Sequence, residues 1–70
     1  MKIIVLHEYR ENLNMANRKV FISYDQIIYF YRENEYWTIL KLSTGEEFRI
    51  AETPIEINRE IGTLFEITHF

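Results

Sequence analysis

The sequence predicts a small α+β domain in which a mainly antiparallel sheet of five strands precedes one C-terminal helix. Five segments rich in β-branched and aromatic residues are separated by short polar turns, as in a meandering sheet. Near the end, a Thr53-Pro54 pair opens a segment whose apolar residues follow helical rather than alternating spacing. The chain has 70 residues, so we expect one domain spanning residues 1–70.

Composition limits the classes of protein to consider. With 47% hydrophobic and 27% charged residues, the chain is expected to fold. It has no cysteine, which excludes a disulfide framework and a thiolate metal site, and its net charge of −3 disfavours a general phosphate-binding surface. No apolar run approaches the roughly 20 residues of a membrane-spanning helix, and the N-terminus lacks the apolar region of a signal peptide. We therefore expect a cytoplasmic protein without a membrane segment.

The first predicted strand covers residues 2–8 (KIIVLHE), although its periodicity alone also permits a short helix. The polar residues 9–18 are interpreted as a loop or as the ends of a long hairpin, and the sequence does not decide whether they are ordered. Residues 19–22 (KVFI) form the second strand. The short polar side chains of residues 23–26 (SYDQ) favour a tight turn after it.

Three more strands are predicted at residues 27–33 (IIYFYRE), 36–42 (YWTILKL) and 46–51 (EEFRIA). A three-residue loop at residues 43–45, with Gly45 in the left-handed conformation, sets the pairs Leu42–Glu46, Leu40–Phe48 and Thr38–Ile50 on one face. A two-residue loop at Asn34-Glu35 would add the pairs Tyr31–Thr38, Tyr29–Leu40 and Ile27–Leu42 to the same face. Glu tolerates positive φ poorly, which counts against this second turn.

This register predicts an apolar second face of the sheet. The side chains assigned to it are Ile28, Phe30, Trp37 and Ile39, with Arg32, Lys41, Glu47 and Arg49 around them. A sheet face that is open to water normally carries polar residues. We therefore expect these four apolar residues to require cover and to form a self-association interface.

The segment from Thr53 onward has the pattern of a helix start. Thr53 suits the N-cap, Pro54 the first helical position, and Glu56 the third position that completes a capping box. Ile57 and Ile61 then lie on one stripe, which Leu64 and Phe65 continue if the helix persists. Gly62 leaves two possibilities open: it ends the helix, so that residues 63–70 form a sixth strand, or it lies inside the helix.

One short helix covers only one face of a sheet, and this predicts assembly. We expect a homo-oligomer, with a dimer as the first hypothesis, that buries the second face. Two alternatives remain open at this point. The N-terminal strand and the 9–18 segment would cover the face within one chain, or a different protein would cover it.

The sequence contains no recognisable catalytic or metal-binding constellation. His7 and His69 have no motif spacing to a nucleophile or carboxylate, and the adjacent acidic residues fall in turns or on alternate faces of a strand. A phosphate-cradling glycine loop is also missing. We therefore predict a non-enzymatic protein with no catalytic residues, no metal and no cofactor.

Nucleic-acid binding is the alternative prediction, because Arg32, Lys41 and Arg49 interleave with Trp37 and Phe30 on the predicted second face. Sheets that bind single strands stack bases on aromatic rings and place cations near the phosphates. In the competing interpretation, the aromatic residues belong to a protein interface and the cations form its polar rim. The acidic net charge favours the protein interface.

Residues 19–61, and especially residues 38–61 (TILKLSTGEEFRIAETPIEINREI), resemble the FlbD-like family of small flagellar and motility-associated proteins. That family runs as an Asn- or Asp-containing turn before an Ile-Ile strand, a T-x-I-x-L-x-x-G hairpin and a V-x-E-x-x-x-E-I helix. Residues 23–28 (SYDQII), Thr38 and Ile39 are shifted by one position from this pattern. The positions that fit its order are Leu40, Leu42, Gly45, Ile50, Glu52, Glu56 and Ile57. The resemblance covers roughly two thirds of the chain and implies a role in motility, whereas the 9–18 segment departs from the family.

Residues 25–70 are also similar to the LytTR-type DNA-binding domain of response regulators. That domain has a D-I-x-Y strand, a Y-x-x-I-x-L-x-x-G hairpin, a helix and an F-x-x-I-H-R strand in this order. Phe65 and His69 match the last motif, but Phe70 stands where the family has Arg. The basic DNA-binding segment of the family would lie beyond Phe70, so the resemblance implies a related fold more than a shared activity.

Overall fold

The computed structural model describes residues 2–11 and 17–64. Its strands are β1 (Ile3–Glu8), β2 (Arg18–Ser23), β3 (Ile27–Arg32), β4 (Thr38–Leu42) and β5 (Glu47–Ile50), and its helix is α1 (Pro54–Thr63). The strands form one antiparallel sheet with the order β2-β1-β5-β4-β3. The predicted α+β class, with a five-stranded sheet and a C-terminal helix, is therefore confirmed.

The sheet is strongly curved, because its two edge strands are joined by a very short connection. Only the 3-10 turn Tyr24–Gln26 links the end of β2 to the start of β3. A flat sheet of five strands would hold its edge strands ~19 Å apart, whereas the four residue steps from Ser23 to Ile27 span at most ~14 Å. The backbone N–H of Tyr24 donates to the Lys2 carbonyl (2.8 Å) and the N–H of Ser43 to the Gln26 carbonyl (2.7 Å). The turn is thus held against both halves of the sheet.

The concave face of this curved sheet encloses the hydrophobic core. Its buried members come from four strands and the helix: Ile4, Leu6, Ile22, Leu40, Leu42, Ile50 and Ile57. Helix α1 packs against β1 and β3, with Ile57 fully buried and Ile61 and Leu64 partly buried against the core. The predicted apolar stripe of the helix is therefore the face that covers the core.

Helix α1 begins with the predicted capping box. The Thr53 hydroxyl accepts a hydrogen bond from the Glu56 backbone N–H (3.2 Å), and the Glu56 carboxylate accepts one from the Thr53 N–H (2.9 Å). Pro54 occupies the first turn, and Gly62 lies inside the helix rather than ending it. Residues 65–70 lie outside the described residues. The predicted position of Phe65 and the alternative sixth strand therefore lie outside them as well. Within the described ranges, no helix has the length and apolar character needed to cross a bilayer.

The β4–β5 hairpin has the predicted register. Thr38 pairs with Ile50 and Leu40 with Phe48, and Gly45 has a φ of 96° in the connecting loop. A φ in this region is costly for residues with a Cβ atom, which explains the glycine. This hairpin fixes which side chains of β4 face the core.

The predicted β3–β4 register is wrong beyond its first pair. Ile27 does pair with Leu42, but a bulge between Ile27 and Tyr29 shifts the rest by one residue, so that Phe30 pairs with Leu40. The connection to β4 comprises residues 33–37, because the Asn34 side chain accepts hydrogen bonds from the N–H groups of Tyr36 (2.7 Å) and Trp37 (3.1 Å). A bulge reverses the side-chain alternation of its strand. Every side chain of β3 from Tyr29 onward therefore lies on the face opposite to the predicted one.

Candidate interaction surface

The convex face of β3, β4 and β5, with the segments that adjoin it, carries most of the exposed aromatic residues. We call this surface the outer face and define it by Tyr9, Tyr29, Tyr31, Tyr36, Trp37, Ile39, Lys41, Glu47 and Arg49. Strand pairing arranges its central part in two rows. One row contains Tyr31, Ile39 and Arg49, and the other contains Tyr29, Lys41 and Glu47. Tyr9 extends the first row, since its N–H donates to the Arg49 carbonyl (2.8 Å).

Tyrosines supply the solvent-exposed aromatic area of the outer face. Tyr29, Tyr31 and Tyr36 are 46%, 49% and 56% exposed, and the rings of Tyr29 and Tyr31 have centroids 6.1 Å apart. Ile39, in the middle of the first row, is only 6% exposed. The exposed part of the surface is therefore amphipathic, with aromatic rings that end in hydroxyl groups.

One end of the outer face is covered by the chain itself. Trp37 is half-buried, with the Tyr9 ring centroid 5.2 Å from its own and the Arg49 guanidinium carbon 4.9 Å from the ring centroid. Arg49 also bonds the Glu11 carboxylate at 3.1 Å, which holds the 9–11 segment beside the tryptophan. Intrachain cover, which the sequence left open, thus applies to Trp37 and Ile39.

The four residues predicted to form the self-association interface do not share one face. Trp37 and Ile39 lie on the outer face, but Phe30 packs against the core on the concave face because of the bulge. Ile28, the extra residue of the bulge, is 59% exposed and lines a groove with Phe30 and Ile61 of the helix. The predicted placement of Phe30 and Ile28 beside Trp37 is therefore wrong.

The three predicted cationic residues are also divided between the faces. Arg32 lies on the concave side, where its guanidinium donates to the Thr38 hydroxyl (3.2 Å) and to the Glu35 carbonyl (2.7 Å). Lys41 and Arg49 lie on the outer face, and the Lys41 ammonium donates to the Gly45 carbonyl (3.2 Å). The three cations do not share one surface, because the shifted register of β3 places Arg32 on the side of the sheet opposite to Lys41 and Arg49.

Desolvation and acidic neighbours affect the ionisation of the Tyr31 phenol. Partial desolvation, and then the negative charges of Glu33 and Glu47, raise the pKa of the Tyr31 phenol above its usual value. The phenol therefore stays neutral at physiological pH and retains its hydroxyl donor. Tyr31 offers a ring and a hydrogen-bond donor to whatever contacts this face.

A second polar cluster joins β1 to the segment before α1. The His7 Nδ1 atom lies 2.6 Å from a Glu52 carboxylate oxygen, and the other oxygen accepts the His7 backbone N–H at 2.9 Å. The Thr38 hydroxyl donates to the Glu52 carbonyl at 2.7 Å. Sequence reasoning found no partner for His7, because the two residues are 45 positions apart and no motif links them. These bonds anchor the helix junction.

Metal chemistry finds no support in this cluster or elsewhere in residues 2–11 and 17–64. These ranges contain no group of three or more His, Asp or Glu side chains placed to hold a metal ion.

Comparisons with protein-family models, with curated proteins and with solved structures find no match for the chain. The outer face is accordingly the feature on which a functional proposal rests.

Proposed function

We propose that this protein is a non-enzymatic interaction module that self-associates through its outer face. The observation that carries the proposal is the exposed Tyr29 and Tyr31 pair, with Tyr36 nearby, on the part of the outer face that the described chain leaves uncovered. Tyrosine is enriched at protein interfaces, because its ring supplies apolar area and its hydroxyl stays satisfied at the wet rim.

A second copy of the chain is the occupant that this face favours. The face carries Lys41 and Arg49 together with Glu47, so it presents both signs of charge and can complement itself. Three tyrosines, each exposing about half of ~200 Å² of side-chain surface, supply ~300 Å², against ~800 Å² per partner in a standard interface. The face therefore supports a small and reversible dimer rather than a permanent one.

Glutamate substitutions of the tyrosines test the proposal. The native chain should approach twice its 8.6 kDa mass in light scattering as its concentration rises. Tyr29→Glu and Tyr31→Glu should each weaken the dimer at least about tenfold, because each buries a charge in the contact. Phe21→Glu is the matched control, since Phe21 is 69% exposed on β2 and lies outside the outer face.

Two results would contradict self-association through the outer face. One is a native chain that keeps the mass of a single copy up to millimolar concentration. The other is a Phe21→Glu variant that weakens the dimer as much as Tyr31→Glu does. Circular dichroism of each variant establishes that a lost dimer does not reflect a lost fold.

Nucleic-acid binding is the second candidate function, and the position of Lys41 beside Tyr29 favours it. Exposed rings next to cations bind single strands by stacking and by phosphate contact. The structure leaves two of the three predicted cations on this face, and Arg49 is already paired with Glu11. In a mobility-shift assay at about 0.1 M salt, Lys41→Ala and Arg49→Ala should remove any shift, whereas Arg32→Ala, on the concave side, should not. A shift that persists in all three variants would exclude the outer face as the binding site.

We also propose a family and a location for the chain. The FlbD-like resemblance supports a motility-associated regulatory role, and the LytTR-type resemblance supports the nucleic-acid candidate. A cytoplasmic location is compatible with both.

A further inference from the structure

We infer that two copies pack outer face to outer face about a two-fold axis that runs parallel to the strands, between β4 and β5. This arrangement rests on the proposed self-association and specifies its geometry. Its basis is a pair of opposite charges, Lys41 and Glu47, that are neighbours in the sheet and yet do not neutralise each other within one chain.

The two charges are direct cross-strand partners on the outer face. The Lys41 ammonium turns to the Gly45 carbonyl at 3.2 Å. Within the described ranges, the Glu47 carboxylate has no hydrogen-bond or ion-pair partner, and its charge acts on Tyr31. Opposite charges in this position normally stabilise a strand pair by contacting each other. Here the carboxylate makes no direct ion pair with Arg10, Arg18 or Arg49, which line the same groove, and it is exposed to a cation from another copy.

With a two-fold axis between β4 and β5, the Glu47 carboxylate of each copy meets a cation of the other copy. Rotation about such an axis places each β4 over the β5 of the other copy, at the ~10 Å spacing of packed sheets. Lys41 of each copy then faces Glu47 of the other. The same rotation places Ile39 opposite Arg49 of the other copy, and Tyr31 opposite Tyr9 of the other copy, so the exposed ring gains an aromatic neighbour.

Neighbouring positions of the axis are disfavoured by charge. An axis that passes over β4 would place Lys41 against Lys41 of the other copy, and one over β5 would place Glu47 against Glu47. Like charges held opposite each other destabilise an interface and exclude that arrangement. The charge pattern therefore selects one position of the axis.

A charge-exchange series tests the arrangement. Lys41→Glu and Glu47→Lys should each weaken the homodimer at least about tenfold, because each creates two like-charge contacts. The double variant Lys41→Glu/Glu47→Lys exchanges the charges and should restore the native affinity to within about threefold. An equimolar mixture of the two single variants should form a heterodimer, since every contact between them is then oppositely charged.

Sedimentation velocity separates failure of this inference from failure of the proposed function. A double variant as weak as the single variants, or single variants as strong as the native chain, would overturn the axis position. If Tyr31→Glu still abolishes the dimer in that case, self-association through the outer face stands without this geometry. A native chain that never dimerises would overturn both proposals.

Discussion

Thr53 and Glu56 show how much of this structure is encoded by single residues. Their reciprocal hydrogen bonds satisfy two backbone N–H groups that a helix start otherwise leaves open. Hydrogen bonding to the Glu56 carboxylate, first from the Thr53 backbone N–H and then from the Thr53 side chain, lowers the pKa of this carboxyl below its usual value. The stability that the capping box contributes therefore depends on pH.

The pH dependence of the capping box has a definite sign. A group whose pKa is lowered by folding contributes stability above its unfolded pKa, and the contribution disappears as the pH falls through the folded pKa. Glu56→Gln should therefore lose less stability than the native chain on acidification from pH 6 to pH 3 in urea titrations. Thr53→Ala should cost about 1 kcal/mol at neutral pH and also weaken the acid dependence, whereas Thr53→Ser should preserve it. An unchanged acid dependence in Glu56→Gln would contradict the link.

At the scale of elements, the sequence predicts most of the fold, and strand β3 is where its prediction fails. The strand itself, the β4–β5 register and the start of α1 follow from alternation, a glycine turn and a capping motif. The bulge at Ile28 does not, because IIYFYR is apolar at both alternation phases and either register buries large side chains. The side chain of Asn34, which builds the longer turn, is the one local signal in favour of the observed register.

The candidate site was predictable only in part for the same reason. Trp37, Ile39, Lys41 and Arg49 were assigned correctly to the outer face, since the β4–β5 hairpin fixes them. Tyr29 and Tyr31 were missed, because the bulge exchanges them with Ile28 and Phe30. Tyr9 was also missed, because its contact with Trp37 depends on the long-range pairing of β1 with β5, which no local pattern encodes.

Paired substitutions in β3 test its register. Phe30→Glu should destabilise the fold by about 2–4 kcal/mol, because it places a carboxylate against the core. Tyr31→Glu, one residue later on a half-exposed position, should change stability by less than about 1 kcal/mol. Urea unfolding at low protein concentration measures both without a contribution from the dimer. Equal losses, or the reverse order, would contradict the bulged register.

The segment that covers Trp37 can be tested through fluorescence, because this is the single tryptophan of the chain. Tyr9→Ala removes the ring that lies 5.2 Å away and should shift the emission to longer wavelength and increase quenching by iodide. Glu11→Gln should produce a smaller change, since it weakens only the hold on Arg49. Identical spectra for the native chain and Tyr9→Ala would show that the 9–11 segment does not shield the indole.

At the scale of the whole molecule, curvature decides which surfaces remain for function. The short connection between β2 and β3 bends the sheet around its core, and α1 packs between β1 and β3 on the concave side. The concave face is consequently filled, except for the groove that Ile28, Phe30 and Ile61 line. The convex face remains, and there the chain covers Trp37 and Ile39 but leaves Tyr29 and Tyr31 half exposed.

The most direct test of docking through the outer face is an isotope-filtered nuclear Overhauser experiment on a mixture of labelled and unlabelled chains. It detects only protons of two different copies that lie close together. The proposal predicts intermolecular signals from the ring of Tyr31 to residues of the outer face, with Tyr9 among them. Signals that instead connect Ile28, Phe21 or the exposed side of α1, with none from Tyr31, would contradict it.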